Sequence, residues 1–196
     1  MAASAGGSTG TAAGEHVSRF ALAGDDEEVT NSTDPAAPIR RRRLVLVRHA
    51  KAVSDSGGSD QARELAGRGR KDAAKIGGWL DGRLGQIDAV WSSSAVRARQ
   101  TFEAIAERLT AAPVADLRDD LYDAGPDDLL ELVREADDNV AVLVVVGHNP
   151  TIERLQAWLS GDDRGFPTCA VGIVEFDGSW ADLQPGDGRL VDFTVP

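Results

Sequence analysis

Cysteine occurs once in the 196 residues, at Cys169. No disulfide can therefore form within the chain, and there is no cysteine spacing for a zinc site. The lone thiol reads as core filler. Long apolar runs are missing as well: no stretch approaches the roughly 18 residues of a membrane span, so no membrane partner is expected. Positive charge is in deficit, with a formal net charge of −11. That balance excludes nucleic acid as the expected partner, since phosphate backbones are met by basic faces. Residues 1–14 lack the basic start and apolar centre of a secretory signal, and the expectation is a cytoplasmic protein. What is present, 42% hydrophobic and 27% charged residues, is the composition of a soluble globular protein large enough for one core.

Residues 1–39 are small, polar and acidic, including Asp25–Glu28, with little apolar periodicity. Such a segment does not bury enough surface to offset its ordering entropy, so a disordered tail is expected there and one domain over 40–196. Gly6-Gly7-Ser8-Thr9-Gly10 matches the G-x-S-x-G pattern of serine hydrolases, but it has no strand before it and no helix after it, and is rejected. The one basic run, Arg40–Arg43, abuts an aliphatic segment and reads as charge flanking a sticky strand rather than as a binding patch.

Beyond the tail, aliphatic runs alternate with helical spacing. Leu44–Val47 is a short buried-strand pattern; Ala73, Ile76, Gly77 and Leu80 then fall on one helix face. Asp88–Trp91 returns to strand, Ala98, Phe102, Ile105, Ala106 and Leu109 to helix, Pro126–Ala136 to a helix opened by proline, and Val140–Val146 to strand. A further strand region is expected near Val114. This order implies a three-layer α/β/α sandwich whose mostly parallel central sheet is covered on both faces. Ala170–Phe176 and Arg189–Val195, joined by a Gly-, Asp- and Pro-rich stretch, add an antiparallel edge.

In open α/β sheets, ligands bind beyond the carboxyl ends of the strands. Three strands end in chemistry-bearing residues. Leu44–Val47 runs into Arg48-His49, and Val142–Val146 into Gly147-His148-Asn149-Pro150, where Asn149 is placed to cap a helix and Pro150 to enter its first turn. Asp88–Trp91 runs into Ser92-Ser93-Ser94, natural caps, and then Arg97 in a helix's first turn, where free amides favour an anion. Arg99, two positions on, points to another face and reads as solvated. Two histidines and two arginines thus meet at one sheet edge. Metal is a poor fit, because two guanidiniums repel a dication and no third ligand lies at suitable spacing. Phosphate fits: arginine binds its oxygens in a bidentate way, and a neutral imidazole can take up a phosphoryl group. No G-x-x-x-x-G-K-[ST] loop is present.

Leu46-Val47-Arg48-His49-Ala50, Ser92-Ser93 through Arg97 to Gln100-Thr101, and Val146-Gly147-His148-Asn149-Pro150 resemble the three motifs of the histidine phosphatase superfamily, the phosphoglycerate-mutase-like proteins. The resemblance runs from about residue 43 onward. Arg-His-Ala-Lys, Leu65-Ala66-Gly67-Arg68-Gly69 and Leu121-Tyr122-Asp123-Ala124 are similar to the phosphohistidine phosphatase subgroup. The resemblance implies that His49 is phosphorylated, that Arg48, Arg97 and His148 hold the phosphoryl group, and that no cofactor takes part. Lys51 and Asn149 are candidates for substrate binding.

Mutase-like relatives place a glutamate after the strand region near Val114 to protonate a leaving alkoxide. The corresponding stretch, Asp116–Asp123, contains none, leaving Asp120 and Asp123 as candidate acids. A site without a strong acid suits phosphoramidates, acyl phosphates or aryl esters. Little chain separates this region from Val140, so no lid is expected, and an open groove admits a phosphorylated protein side chain. The expected substrate is a phosphorylated protein or a small phosphorylated molecule. The alternatives are a small-molecule phosphomonoesterase of the same superfamily and a non-catalytic phosphate-binding module.

Overall fold

Leu44, Val45, Leu46 and Val47 are all fully buried, as the unbroken aliphatic run requires of a strand covered on both faces. In the computed structural model, which describes residues 40–54 and 57–196, they lie in β1 (Arg41–Arg48). The expected tail and the Gly6–Gly10 motif lie outside the described residues. The elements that follow are α1 (Gly67–Leu84), β2 (Ala89–Ser93), α2 (Val96–Ala106), β3 (Asp116–Arg118), α3 (Asp120–Asp123), α4 (Pro126–Arg134), β4 (Val142–Gly147), α5 (Thr151–Ser160), β5 (Val171–Asp177) and β6 (Arg189–Thr194).

The sheet order is β3-β2-β4-β1-β5-β6. β3, β2, β4 and β1 pair in parallel, and β5 runs against both β1 and β6. This is the expected mostly parallel sheet with an antiparallel edge. Alternate residues feed opposite layers. Val45, Val47, Val142, Val144 and Val146 pack with Ile76 and Leu80 of α1 and Phe102 and Ile105 of α2, whereas Leu44, Leu46, Leu143 and Val145 pack with Leu129 and Val133 of α4 and Ile152 and Leu155 of α5. Two cores, one on each face, make the three layers. Among the described residues no helix is long and apolar enough to cross a membrane.

The structure corrects the sequence reading in several places. The basic run does not merely flank the first strand, because Arg41–Arg43 lie inside β1. Arg42 is buried at 3% exposure; its guanidinium donates to the carbonyls of Gly178 (2.6 Å), Val140 (2.7 Å) and Asp138 (3.0 Å) and to the Asp138 carboxylate (2.8 Å), tying the segment before β4 to the end of β5 through carbonyls that an apolar residue could not satisfy. Val114 is not in a strand and is 94% exposed; the edge strand β3 is confined to three residues beyond it. The helices opened by Ser92–Ser94 and by Asn149 begin later than expected, at Val96 and Thr151, and neither has a side-chain cap. The polar side chains at those junctions are engaged elsewhere, as described below.

Candidate active site

The carboxyl ends of β1, β2 and β4 adjoin in the sheet, so the residues that follow them emerge together. Arg48 closes β1 opposite Gly147 of β4, and the His49 amide donates to the Gly147 carbonyl at 3.0 Å. The His49 and His148 rings stand 5.1 Å apart between centroids. Arg97, in the first turn of α2 and 6% exposed, reaches both: Nε donates to His49 Nε2 at 3.3 Å, and Nη2 lies 3.4 Å from His148 Nδ1. The α2 motif residues lock this arrangement from behind. Thr101 Oγ1 donates to the Arg97 carbonyl (2.6 Å) and accepts the Ala50 amide (3.0 Å), while Gln100 Oε1 accepts the Leu65 amide (2.8 Å).

These contacts determine the tautomers. His49 Nδ1 lies 2.8 Å from the Ala50 carbonyl, which can only accept, so Nδ1 carries the proton and Nε2 keeps its lone pair toward Arg97. Arg97 can only donate, so His148 Nδ1 is the acceptor and Nε2–H donates to Ser93 Oγ at 2.9 Å. Desolvation first of all, together with the Arg97, Arg48 and Arg63 charges, holds the His49 pKa down at about 4, despite the opposing Ala50 hydrogen bond. His148 is lowered to about 3, by desolvation and then by His49 and Arg97. Both imidazoles are neutral near pH 7, which a nitrogen nucleophile requires.

Arg48 Nη1 donates to the Phe166 carbonyl (2.7 Å), while its buried Nε has no partner among the described residues. Asn149, expected as a helix cap, turns inward instead. Its amide nitrogen donates to Glu153 Oε2 (2.7 Å) and to the Phe166 carbonyl (3.0 Å), and its buried Oδ1 has no partner among the described residues. The three serines are likewise diverted from capping: Ser92 donates to the Ser93 carbonyl, Ser93 accepts from His148 and the Ala95 amide, and Ser94 accepts from Gln61.

Neither candidate acid is at the centre. Asp120 is forked onto Arg118 (3.1 and 2.9 Å), whose hydrogen bonds lower its pKa, the opposite of what a proton donor needs. Asp123 is exposed and makes no hydrogen bond to either histidine. The Lys51 side chain is exposed; its carbonyl, held by the Ala66 amide, shapes the loop after His49. Arg99 is solvated, 3.9 Å from Glu103.

Three residues that the sequence reading did not single out belong to the site. Asp60, on the 3-10 turn Asp60–Ala62, accepts from Arg97 and from the Tyr122 hydroxyl. Tyr122 also presents its ring edge-on to His148 at 5.5 Å. Glu153 fixes Asn149, and its charge offsets part of the desolvation that lowers the Arg48 pKa. The Tyr122 stretch was readable only as a family motif, no local signal marked Asp60, and nothing local pairs residues 62 apart.

The family model described as histidine phosphatase superfamily (branch 1) matches residues 44–124. A protein of Mycobacterium tuberculosis, itself uncharacterised, is 40% identical over 161 residues, covering 76% of this chain and 99% of its own length. The chain belongs to the histidine phosphatase superfamily, whose phosphatase members are hydrolases. Within it the chain is similar to phosphohistidine phosphatase SixA of Escherichia coli, 28% identical over 70% of this chain and 87% of that protein. A structure of the protein histidine phosphatase SixA complexed with tungstate has a TM-score of 0.65 and 27% identity, with 79% of this chain and 97% of that one covered.

Proposed function

We propose that this protein is a phosphatase working through a covalent phosphohistidine at His49, on phosphohistidine in proteins or another activated phosphate, without a metal or other cofactor. The domain that carries this activity spans residues 40–196. One observation carries the reading: His49 donates Nδ1–H to the Ala50 carbonyl and turns an unprotonated Nε2 toward a buried guanidinium that also reaches His148. A nucleophile whose unprotonated nitrogen faces a fixed cation suits attack on a phosphoryl group whose oxygens bear negative charge.

In this scheme His49 Nε2 attacks phosphorus, and Arg97 and Arg48 neutralise the equatorial oxygens. The buried, unpartnered Arg48 Nε supports that role, since a donor without an acceptor is matched by an anion's oxygen. Neutral His148, fixed by Ser93 at Nε2 and by Arg97 at Nδ1, stands beside the same group. The route from β3 to β4 holds only the short helices α3 and α4, which supports an open groove and a protein-borne substrate. The names of the SixA relatives agree, and tungstate in one of them is a tetrahedral oxyanion.

Incubation with a labelled phosphoramidate is expected to leave acid-labile phosphate on the wild type and none on His49→Ala, with chelator present throughout. Label retained by His49→Ala would place the nucleophile elsewhere. Stoichiometric binding without label on either protein would make this a phosphate-binding module.

A further inference from the structure

The proposed phosphoryl chemistry leaves the half-buried carboxylate of Glu153 without a role. Glu153 lies in the first turn of α5, where an acid favours the helix dipole, and that placement alone would account for it. Its contacts go further. Glu153 Oε2 accepts from the Asn149 amide nitrogen (2.7 Å) and from the Phe166 main-chain N–H (3.3 Å). The Phe166 carbonyl accepts in turn from Arg48 Nη1 (2.7 Å) and from the same Asn149 nitrogen (3.0 Å). The Phe166 ring, 2% exposed and edge-on to Phe193 at 5.4 Å, anchors the residue in the core, while the hydrogen bonds at its backbone set the direction of its carbonyl.

Arg48 is where these contacts lead. Phe166 holds one end of its guanidinium by Nη1, and the buried Nε has no partner among the described residues. The Arg48 charge depresses the pKa of both His49 and His148, so the guanidinium lies within electrostatic reach of the two rings. A carboxylate bonded straight to that guanidinium would occupy N–H groups that an oxyanion needs. Glu153 is set one residue back: its charge still favours the Arg48 cation, while its hydrogen bonds go to Asn149 and Phe166.

We infer that Glu153 is a positioning residue for Arg48: through the Phe166 backbone it fixes the carbonyl that holds Nη1, and so keeps Nε available to the phosphoryl oxygens. The inference rests on the phosphatase reading above for the use of Arg48, and on the hydrogen bonds alone for the way Arg48 is held. Glu153 acts here by geometry, because a guanidinium tied at one end presents its remaining N–H groups in a fixed plane. Its effect therefore follows the reach of the side chain, whereas a helix-dipole role follows its charge.

Two substitutions separate reach from charge. Glu153→Asp keeps the charge in the first turn of α5 but withdraws the oxygens by a methylene, and Glu153→Gln keeps an accepting oxygen at the same reach without the charge. The measurements are kcat/KM for p-nitrophenyl phosphate and the Kd for tungstate, in the full-length chain. Glu153→Asp is expected to lower kcat/KM on the order of 10- to 100-fold and to weaken tungstate on the order of tenfold, the scale of a displaced binding group. Glu153→Gln should stay within about threefold of the wild type on both, since a neutral acceptor retains part of the hydrogen bond. In an Arg48→Ala background the Glu153→Asp loss should shrink below about twofold, because no guanidinium is left to place. Glu153→Asp at the wild-type level, a Glu153→Gln variant equally impaired, or a Glu153→Asp loss that persists without Arg48 would each overturn the inference and leave the phosphatase reading standing. A wild type that hydrolyses no aryl phosphate and takes up no acid-labile phosphate would overturn the phosphatase reading, and tungstate binding would still decide the role of Glu153. A wild type that bound no tungstate either would overturn both.

Discussion

At the scale of single residues, the site depends on which atoms carry protons. The Ala50 carbonyl and the Arg97 guanidinium lie on opposite ring nitrogens of His49 and leave it one tautomer. Arg97 serves both imidazoles and Asp60 at once, so its removal should cost more than one contact. Arg97→Ala is expected to lower kcat on an aryl phosphate by roughly 10²–10³, by analogy with the loss of one oxyanion donor. Near-normal turnover would remove Arg97 from the chemistry. Arg48, His49, Arg97 and His148 could be picked from the sequence because each follows, or nearly follows, an aliphatic strand. Asp120 showed the limit of that reasoning: a carboxylate beside the right strand was visible, but not that it would turn onto Arg118.

At the scale of elements, α1 and α2 must lie close for α2 to bring Arg97 over the end of β1. Gly77 permits it, since a Cβ there would press into the Ile105 carbonyl of α2, whereas one on the adjacent Gly78 would meet nothing. The two neighbours should therefore respond with opposite sign. Gly78→Ala should stabilise by about 0.5–1 kcal/mol through helix propensity. Gly77→Ala should destabilise, because an overpacking cost of about 1–3 kcal/mol exceeds the same gain. Urea midpoints at unchanged slope measure both, and a raised midpoint for Gly77→Ala would contradict the close approach. Helix and strand types were legible from periodicity, as with Ala73, Ile76, Gly77 and Leu80, all buried on α1. The starts of α2 and α5 were not, because Ser93 and Asn149 satisfy partners distant in sequence instead of their own helix amides.

For the whole molecule, two neutral histidines held against protonation link stability to pH. Both native pKa values, about 4 and about 3, lie below the ordinary 6.5. The unfolded chain therefore binds more protons below 6.5, and stability falls as pH drops through that window, with the full contribution present above it. Between pH 6.5 and 5, above the range where carboxylates begin to protonate, Tm should decline with acidification. His49→Gln and His148→Gln should each flatten that slope, and an unchanged slope in both would mean that the rings are not shielded as described. The sequence by itself determined the layers, the sheet and the strand ends that carry Arg48, His49 and His148, because burial on one face or two imprints a local period. Only the tertiary structure decided the proton positions on the rings, the diversion of Asn149 and Asp120, and the meeting of Asp60 with Arg97 and Tyr122. Those depend on distances between residues remote in the chain, which packing sets and periodicity does not encode.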